Sequence, residues 1–395
     1  MSRWRTSRRG WALALAALAV CLMGAPGGSL AAEQTVRVLV AEGRTSAAVA
    51  SSGGLTVTDG TGRRILAQRT GGEPFRLLLK GNVVLIRETG ATAPTLVIRA
   101  GRLSTLDLDG QTFRGRLEVR RLNGGLGVVN VVDLEDYLLG VVRHEIPPAW
   151  PPEAAKAMAV AARTYAVYQM EQNLGEFFHL RATTASQVYG GATGEDSRAS
   201  FAVQATRGQI LTFGGQPIPA FYHSCSGGAT EDAQDVFGPN FDIIIGVKDD
   251  FSLGCPYSFW IERFSAEQIE RALQRAGYPI GQIVRIEDLL RSGTGRILRL
   301  AVHHTGGTLI LEGRRFREAV GNDSIRSTDF DVRADADGFT FVGRGWGHGV
   351  GLSQWGAKEM ADLAYRHQDI LKFYYPLAQM GSLDGRGMSS RAATQ

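Results

Sequence analysis

The sequence predicts an α+β protein: a β-rich N-terminal region over 33–114, then a mixed α/β domain over 115–380 that encloses a cleft. Three observations predict it. Short alternating apolar runs separated by turn residues fill 35–121. An alanine-rich segment after Pro152 has the composition and start signal of a helix. Beyond it, helical and strand patterns follow one another up to a glycine-rich loop at 343–351.

The first residues read as an address. Arg3, Arg5, Arg8 and Arg9 precede an apolar run from Trp11 to Met23, and Ser29, Ala31 and Ala32 follow as small residues before Glu33. That order is a secretory leader over 1–32. Its apolar run is shorter than the roughly 20 residues that span a bilayer. The expected mature chain therefore has no stable membrane anchor and is extracytoplasmic: secreted, periplasmic or in the cell wall. The leader's arginines account for the whole formal net charge of +4. A near-neutral mature chain gives no support to a nucleic-acid partner.

In the β-rich region Val36, Val38 and Val40 alternate with other residues, as do Phe75, Leu77 and Leu79. Ser52-Gly53-Gly54, Asp59-Gly60 and Asp109-Gly110 supply turns. Val128–Val132 reads as a buried strand. Asp133-Leu134-Glu135-Asp136-Tyr137 then opens a short helix with acids in its first turn. After Pro147, Pro148 and Pro151, Pro152 suits a first helical position, and the helix runs to about Glu171. Ser265 and Gln268 form a capping box for a helix to Ala276 with Ile269 and Leu273 on its buried face. Strands are expected near 283–288 and 297–302, and a helix over 353–365. Residues 381–395 are polar, small and aperiodic, the pattern of a disordered tail.

Three clusters could do chemistry. Glu145 sits among Ile146, Pro147, Pro148 and Trp150, where desolvation would raise its pKa and suit a general acid. His144-Glu145 lacks the second histidine of a zinc protease motif, because Pro148 stands at that spacing. Lys156 and Arg163, seven apart on one helix stripe with Ala159 and Val160, could line a polar cleft. The second cluster surrounds His223 and Cys225. A reactive thiol or a metal site competes there with a disulfide to Cys255, and an even cysteine count after an export leader favours the disulfide. The third is the glycine-rich loop, where Trp346 and His348, with Gln354 just beyond, offer rings and hydrogen-bonding edges to a sugar.

These residues resemble one family. Val129–Val142, Glu145-Ile146-Pro147, Trp150-Pro151, Ala154–Ala157, Ala161–Ala166, Ser186–Gly191, Ala205–Gly208, Ser226–Glu231, Ser327–Phe330 and the Gly-Trp-Gly-His-Gly loop with Ser353-Gln354-Trp355-Gly356 resemble, in order, the domain shared by stage II sporulation protein D and the amidase enhancer LytB. The resemblance covers about 115–380. It implies a lytic transglycosylase that cuts the β-1,4 bond from N-acetylmuramic acid to N-acetylglucosamine in peptidoglycan glycan strands, leaves a 1,6-anhydro end and prefers peptide-stripped strands. It places the catalytic role on Glu145 and implies substrate contacts by Lys156, Arg163, Gln187, Tyr189, His223, Ser226, Thr230, Trp346, His348, Ser353 and Gln354. Some members bind zinc through His and Cys before the Gln-Val-Tyr motif. Here Ala185 and Ser186 stand there, so no metal and no cofactor is expected. The competing expectation is a wall-bound protein that stimulates a cell-wall amidase.

Overall fold

The computed structural model describes residues 34–383. The leader and the residues from 384 onward lie outside the described part, together with the expectations attached to them. The described chain is α+β with a β-rich N-terminal region. A seven-stranded sheet runs in the order Leu180–Arg181, Thr35–Arg44, Gly125–Asp133, Arg116–Leu122, Thr95–Ala100, Leu55–Asp59, Ile65–Arg69. Thr35–Arg44 lies antiparallel to Gly125–Asp133 and parallel to Leu180–Arg181. Alternation puts Val57, Ile98 and Val119 into one core with Val49, Leu77 and Val84 of a six-stranded sheet. Strands from both sides of position 115 thus belong to one sheet.

Gly125–Asp133 is buried along nearly its whole length, as a strand covered on both faces must be. It delivers the chain directly into α1 (Leu134–Glu145), whose N-cap Asp133 accepts from the amides of Glu135 and Asp136. Extended Ile146 and the prolines after it stop the helix. α2 (Pro152–Gln172) starts on its proline and is lined with buried Ala157, Ala159, Ala161 and Ala162. Small side chains let it pack closely against α1, α3 (Ser197–Ala205) and the strand Gln209–Phe213. After α4 (Ala233–Phe237), a second hydrophobic core forms from Trp260, Ile269, Leu273, Leu300, Phe316, Phe330 and Phe341. It lies between α5 (Ala266–Arg275), α6 (Gly313–Val320) and two three-stranded sheets. α5 carries the expected Ser265–Gln268 capping box. α7 (Gln354–Asp362) and α8 (His367–Tyr374) return to the first core.

Gly381 and Ser382 do not begin a tail. They end a strand, Gln379–Ser382, that pairs with Gln209–Phe213, because that strand's open edge offers backbone partners that composition does not reveal. Among the described residues no helix is long and apolar enough to cross a membrane.

Candidate functional site

Glu145 is the last residue of α1 and, half-buried, lines a cleft of about 1220 Å³. Three donors from distant segments converge on it. The Val188 amide donates to Oε1 at 3.2 Å and Gln354 Nε2 to Oε2 at 3.3 Å, and the Tyr222 hydroxyl donates as well. Burial raises its pKa, and these hydrogen bonds only partly oppose that. The negative end of the α1 dipole acts in the same direction as burial.

A buried relay fixes the direction of the Tyr222 hydrogen bond. Tyr137 donates its hydroxyl to Gln187 Oε1 at 2.9 Å, so the Gln187 amide group faces onward. Gln187 Nε2 donates to the Ala162 carbonyl at 3.2 Å and to the Tyr222 oxygen at 3.1 Å. The Tyr222 proton is then free to point at Glu145. Burial and the Glu145 charge hold the Tyr222 pKa far above its ordinary value, so it remains a donor.

Beside Glu145 the cleft is aromatic. Phe221 packs on Phe237 of α4 at 4.4 Å between ring centres, and on Tyr165 at 5.9 Å. His223 and His348 stand 5.5 Å apart, and their tautomers follow from their backbone partners. His223 Nδ1 lies 3.1 Å from the Val350 carbonyl, which can only accept, so Nδ1 carries the proton. Its Nε2 is then a bare acceptor, buried and without a partner. His348 Nδ1 accepts from the Val350 amide at 3.0 Å, so its Nε2 is the donor and bonds the Tyr222 backbone. Burial, aided by nearby cations, pulls His348 down to about 3 and His223 well below its usual value. Both rings are neutral. The glycine-rich loop carries His348 and passes so close to His223 that a Cβ on Gly347 would meet His223 Cβ at 2.6 Å. One on Gly349 would meet the Arg296 guanidinium at 2.6 Å. Arg296, itself buried, reaches in from the second core's hairpin to donate to the Ser226 carbonyl at 2.6 Å.

Of the residues singled out in the sequence, Glu145, His223, Trp346, His348 and Gln354 line the cleft. The others do not. Gln187 stands behind Tyr222. Ser353 caps α7, accepting from Gly356 at 3.3 Å, and so sets the position of Gln354. Tyr189 is buried with its hydroxyl on Asn130 at 2.8 Å. Ser226 is buried on Asp249 at 2.7 Å, and buried Thr230 accepts from the Val247 amide at 2.8 Å. Lys156 and Arg163 also need correcting. Their shared stripe is apolar because it faces the core. Arg163 has no exposed surface and grips Glu135 of α1 with two bonds of 2.8 Å, while Lys156 pairs with Glu153 at 2.6 Å. Cys225 and Cys255 form a disulfide, which removes the thiol and metal readings of Cys225.

Tyr222 and the Val188 amide were not assigned roles from sequence, although Val188 lies within a segment that carries the resemblance and Tyr222 stands next to His223. Phe237 has no sequence signal. At the position of the zinc ligands known in some members, Ala185 has no donor and the Ser186 hydroxyl accepts from the Arg181 amide at 3.2 Å. These residues do not fit a zinc ion. Among the described residues no group of three His, Cys, Asp or Glu side chains is arranged to hold a metal.

A stage II sporulation protein family model matches residues 122–213, and a model described as a domain of unknown function (DUF8618) matches 240–351. Stage II sporulation protein D of Bacillus subtilis is 31% identical over 271 residues, covering 65% of this chain and 76% of that protein. An uncharacterized protein of Brachyspira hyodysenteriae is 32% identical over 269 residues, 68% of this chain and 72% of its own. The amidase enhancer of Bacillus subtilis is 30% identical over 287 residues, 60% of this chain but 39% of the enhancer.

Proposed function

This chain belongs to the stage II sporulation protein D family, and from that premise we propose that it is an extracytoplasmic lytic transglycosylase of peptidoglycan glycan strands. The observation that carries the reading is Glu145: a carboxyl with a raised pKa, lining a cleft beside aromatic rings, steered by three neutral donors. Burial favours the protonated form, the one in which a general acid acts. Glu145 gives its proton to the glycosidic oxygen as the bond from C1 of N-acetylmuramic acid breaks. The carboxylate left behind then takes the proton of the sugar's own 6-hydroxyl while that oxygen bonds to C1. The proton count closes on one residue and no water is consumed, so the paired carboxylates of the hydrolases are not required. Tyr222, Val188 and Gln354 stabilise the transient carboxylate, and the face of Phe221 or Phe237 suits a sugar ring.

The similarity to an amidase enhancer supports a second reading, a wall-bound protein that binds glycan and stimulates a cell-wall amidase. Glu145→Gln separates the two. It cannot shuttle a proton, and loss of a general acid/base costs on the order of a hundred- to ten-thousand-fold in rate. Mass spectrometry of purified strands should find 1,6-anhydro ends with wild type and almost none with Glu145→Gln, while both bind strands. Ordinary reducing ends from wild type would mean hydrolysis. No cleavage by wild type, together with equal amidase stimulation by both proteins, would establish the second reading.

A further inference from the structure

Formal charge is divided unevenly along the chain. Residues 34–133 hold 14 Lys and Arg against 8 Asp and Glu, whereas residues 134–395 hold 25 against 30. The near-neutral mature chain therefore contains a distinctly basic β-rich region. Part of that excess is lined up on one face of the seven-stranded sheet. Leu117, Ile98 and Val57 point into the core, so Arg116, Arg99 and Thr56 beside them point outward. Register sets Arg37, Val131, Arg116, Arg99, Thr56 and Gln68 in one row across six strands. At a strand spacing of about 4.8 Å the row is roughly 24 Å long. Arg99 and Arg116 stand directly opposite each other, an arrangement that costs stability between like charges. The carboxylate beside the row, Glu118, is shared: Arg37 Nη2 lies 2.7 Å from it and Arg116 Nε 3.1 Å. Burial would raise its pKa, yet the two arginines hold it below the usual carboxylate range, so it is ionised. Arg120, four positions on from Arg116 and so on the same face, has its guanidinium 3.7 Å from the centre of the Phe177 ring. Arg99 is exposed and, among the described residues, has no ion pair. Four arginines thus stand around one carboxylate.

We propose that this face binds an extended phosphodiester polymer, a chain in which ionised phosphates alternate with neutral polyol units. A guanidinium fork matches two phosphate oxygens. The Thr56 hydroxyl and the exposed Gln68 amide continue the row with neutral donors. Donors set out in a line suit a linear polymer better than a compact anion. A nucleic acid has the same phosphate chemistry, but Arg120 already covers Phe177, the ring beside the row on which a base could stack. None of the four arginines lines the cleft of Glu145. The face is therefore an attachment surface, holding the protein to a charged polymer while the cleft acts elsewhere.

The test is calorimetry of the full chain with a poly(glycerol phosphate) oligomer over a series of salt concentrations. Wild type should bind, with log K falling linearly as log salt concentration rises. Arg99→Gln and Arg116→Gln should each weaken binding on the order of tenfold and reduce the salt slope by about one unit. Arg271→Gln, an exposed position on α5 outside the row, should leave both unchanged. Arg99 is exposed and unpaired, so its variant decides the matter if Arg116→Gln fails to fold. No binding by wild type, or an affinity and slope untouched by the row variants, overturns the surface. So does tighter binding of duplex DNA or of phosphatidylglycerol vesicles, which would give the face to a nucleic acid or to a membrane. Release of 1,6-anhydro ends from polymer-free glycan strands should be the same for wild type and Arg99→Gln, so this surface and the cleavage reading stand or fall separately.

Discussion

A single carboxyl raised by burial leaves a signature in stability as well as in rate. Folded Glu145 holds its proton more tightly than the unfolded chain does, where a glutamate titrates near about 4.3. Between that value and the higher folded one the native state carries the extra proton. Wild-type stability must therefore fall as pH rises through the interval. Glu145→Gln has no proton to lose, and it exchanges one acceptor oxygen for an amide facing a donor, which adds a pH-independent offset. The expected result is a difference in Tm that shifts toward the variant from about pH 4 upward and levels off above the folded pKa; a difference flat with pH would contradict the raised pKa. Asp249 and Asp329, also raised by burial, are present in both proteins and cancel. Glu145 was legible in the sequence because its apolar neighbours are next to it in the chain. Gln354, 209 positions away, was singled out in the sequence but not as a partner of Glu145, since nothing local records that contact.

Among elements, α2 shows how a correct spacing supports a wrong role. Lys156 and Arg163 do share a face, but Ala159 and Val160 on that face are fully buried, so the stripe is packing surface and not a cleft lining. Arg163 ties α2 to α1 through Glu135 and to the following segments through the Val203 carbonyl at 3.1 Å and the Gln209 carbonyl at 3.2 Å. Arg163→Met should cost about 3 to 5 kcal/mol by urea unfolding, because it leaves Glu135 nearly buried without its counter-charge. Lys156→Met removes a partly exposed pair and should cost less than about 1 kcal/mol. Strands and caps were read more reliably than roles. The period of two in Thr35–Arg44, the acid-rich opening of α1 and the capping box of α5 are written in neighbouring residues, whereas whether a helix face meets solvent, ligand or core depends on segments far along the chain.

For the whole molecule, two hydrophobic cores border one cleft, and the covalent link between Cys225 and Cys255 spans the segment that supplies α4 and Phe237. Thiol labelling of the denatured, unreduced protein should find neither cysteine free. Reduction opens a loop with a sequence separation of 30 and should lower stability by roughly 3 to 4 kcal/mol in the chain-entropy account, read as a fall in Tm. The α+β class was legible because periodicity averages over many residues. That Thr35–Arg44 and Leu180–Arg181, a strand beyond α2, meet in one sheet was not, because strand pairing across that distance leaves no local trace. Thr35–Arg44 is synthesised before both of its neighbours, and the hydrogen bond from the Arg37 amide to His179 spans 142 positions. The main sheet therefore has to hold a place open while most of the chain is still arriving. Contacts this distant slow folding, and a strand waiting unpaired is an invitation to wrong partners. The protein's most vulnerable moment should come during its synthesis, when Thr35–Arg44 is already made and the chain that completes the sheet is still to follow.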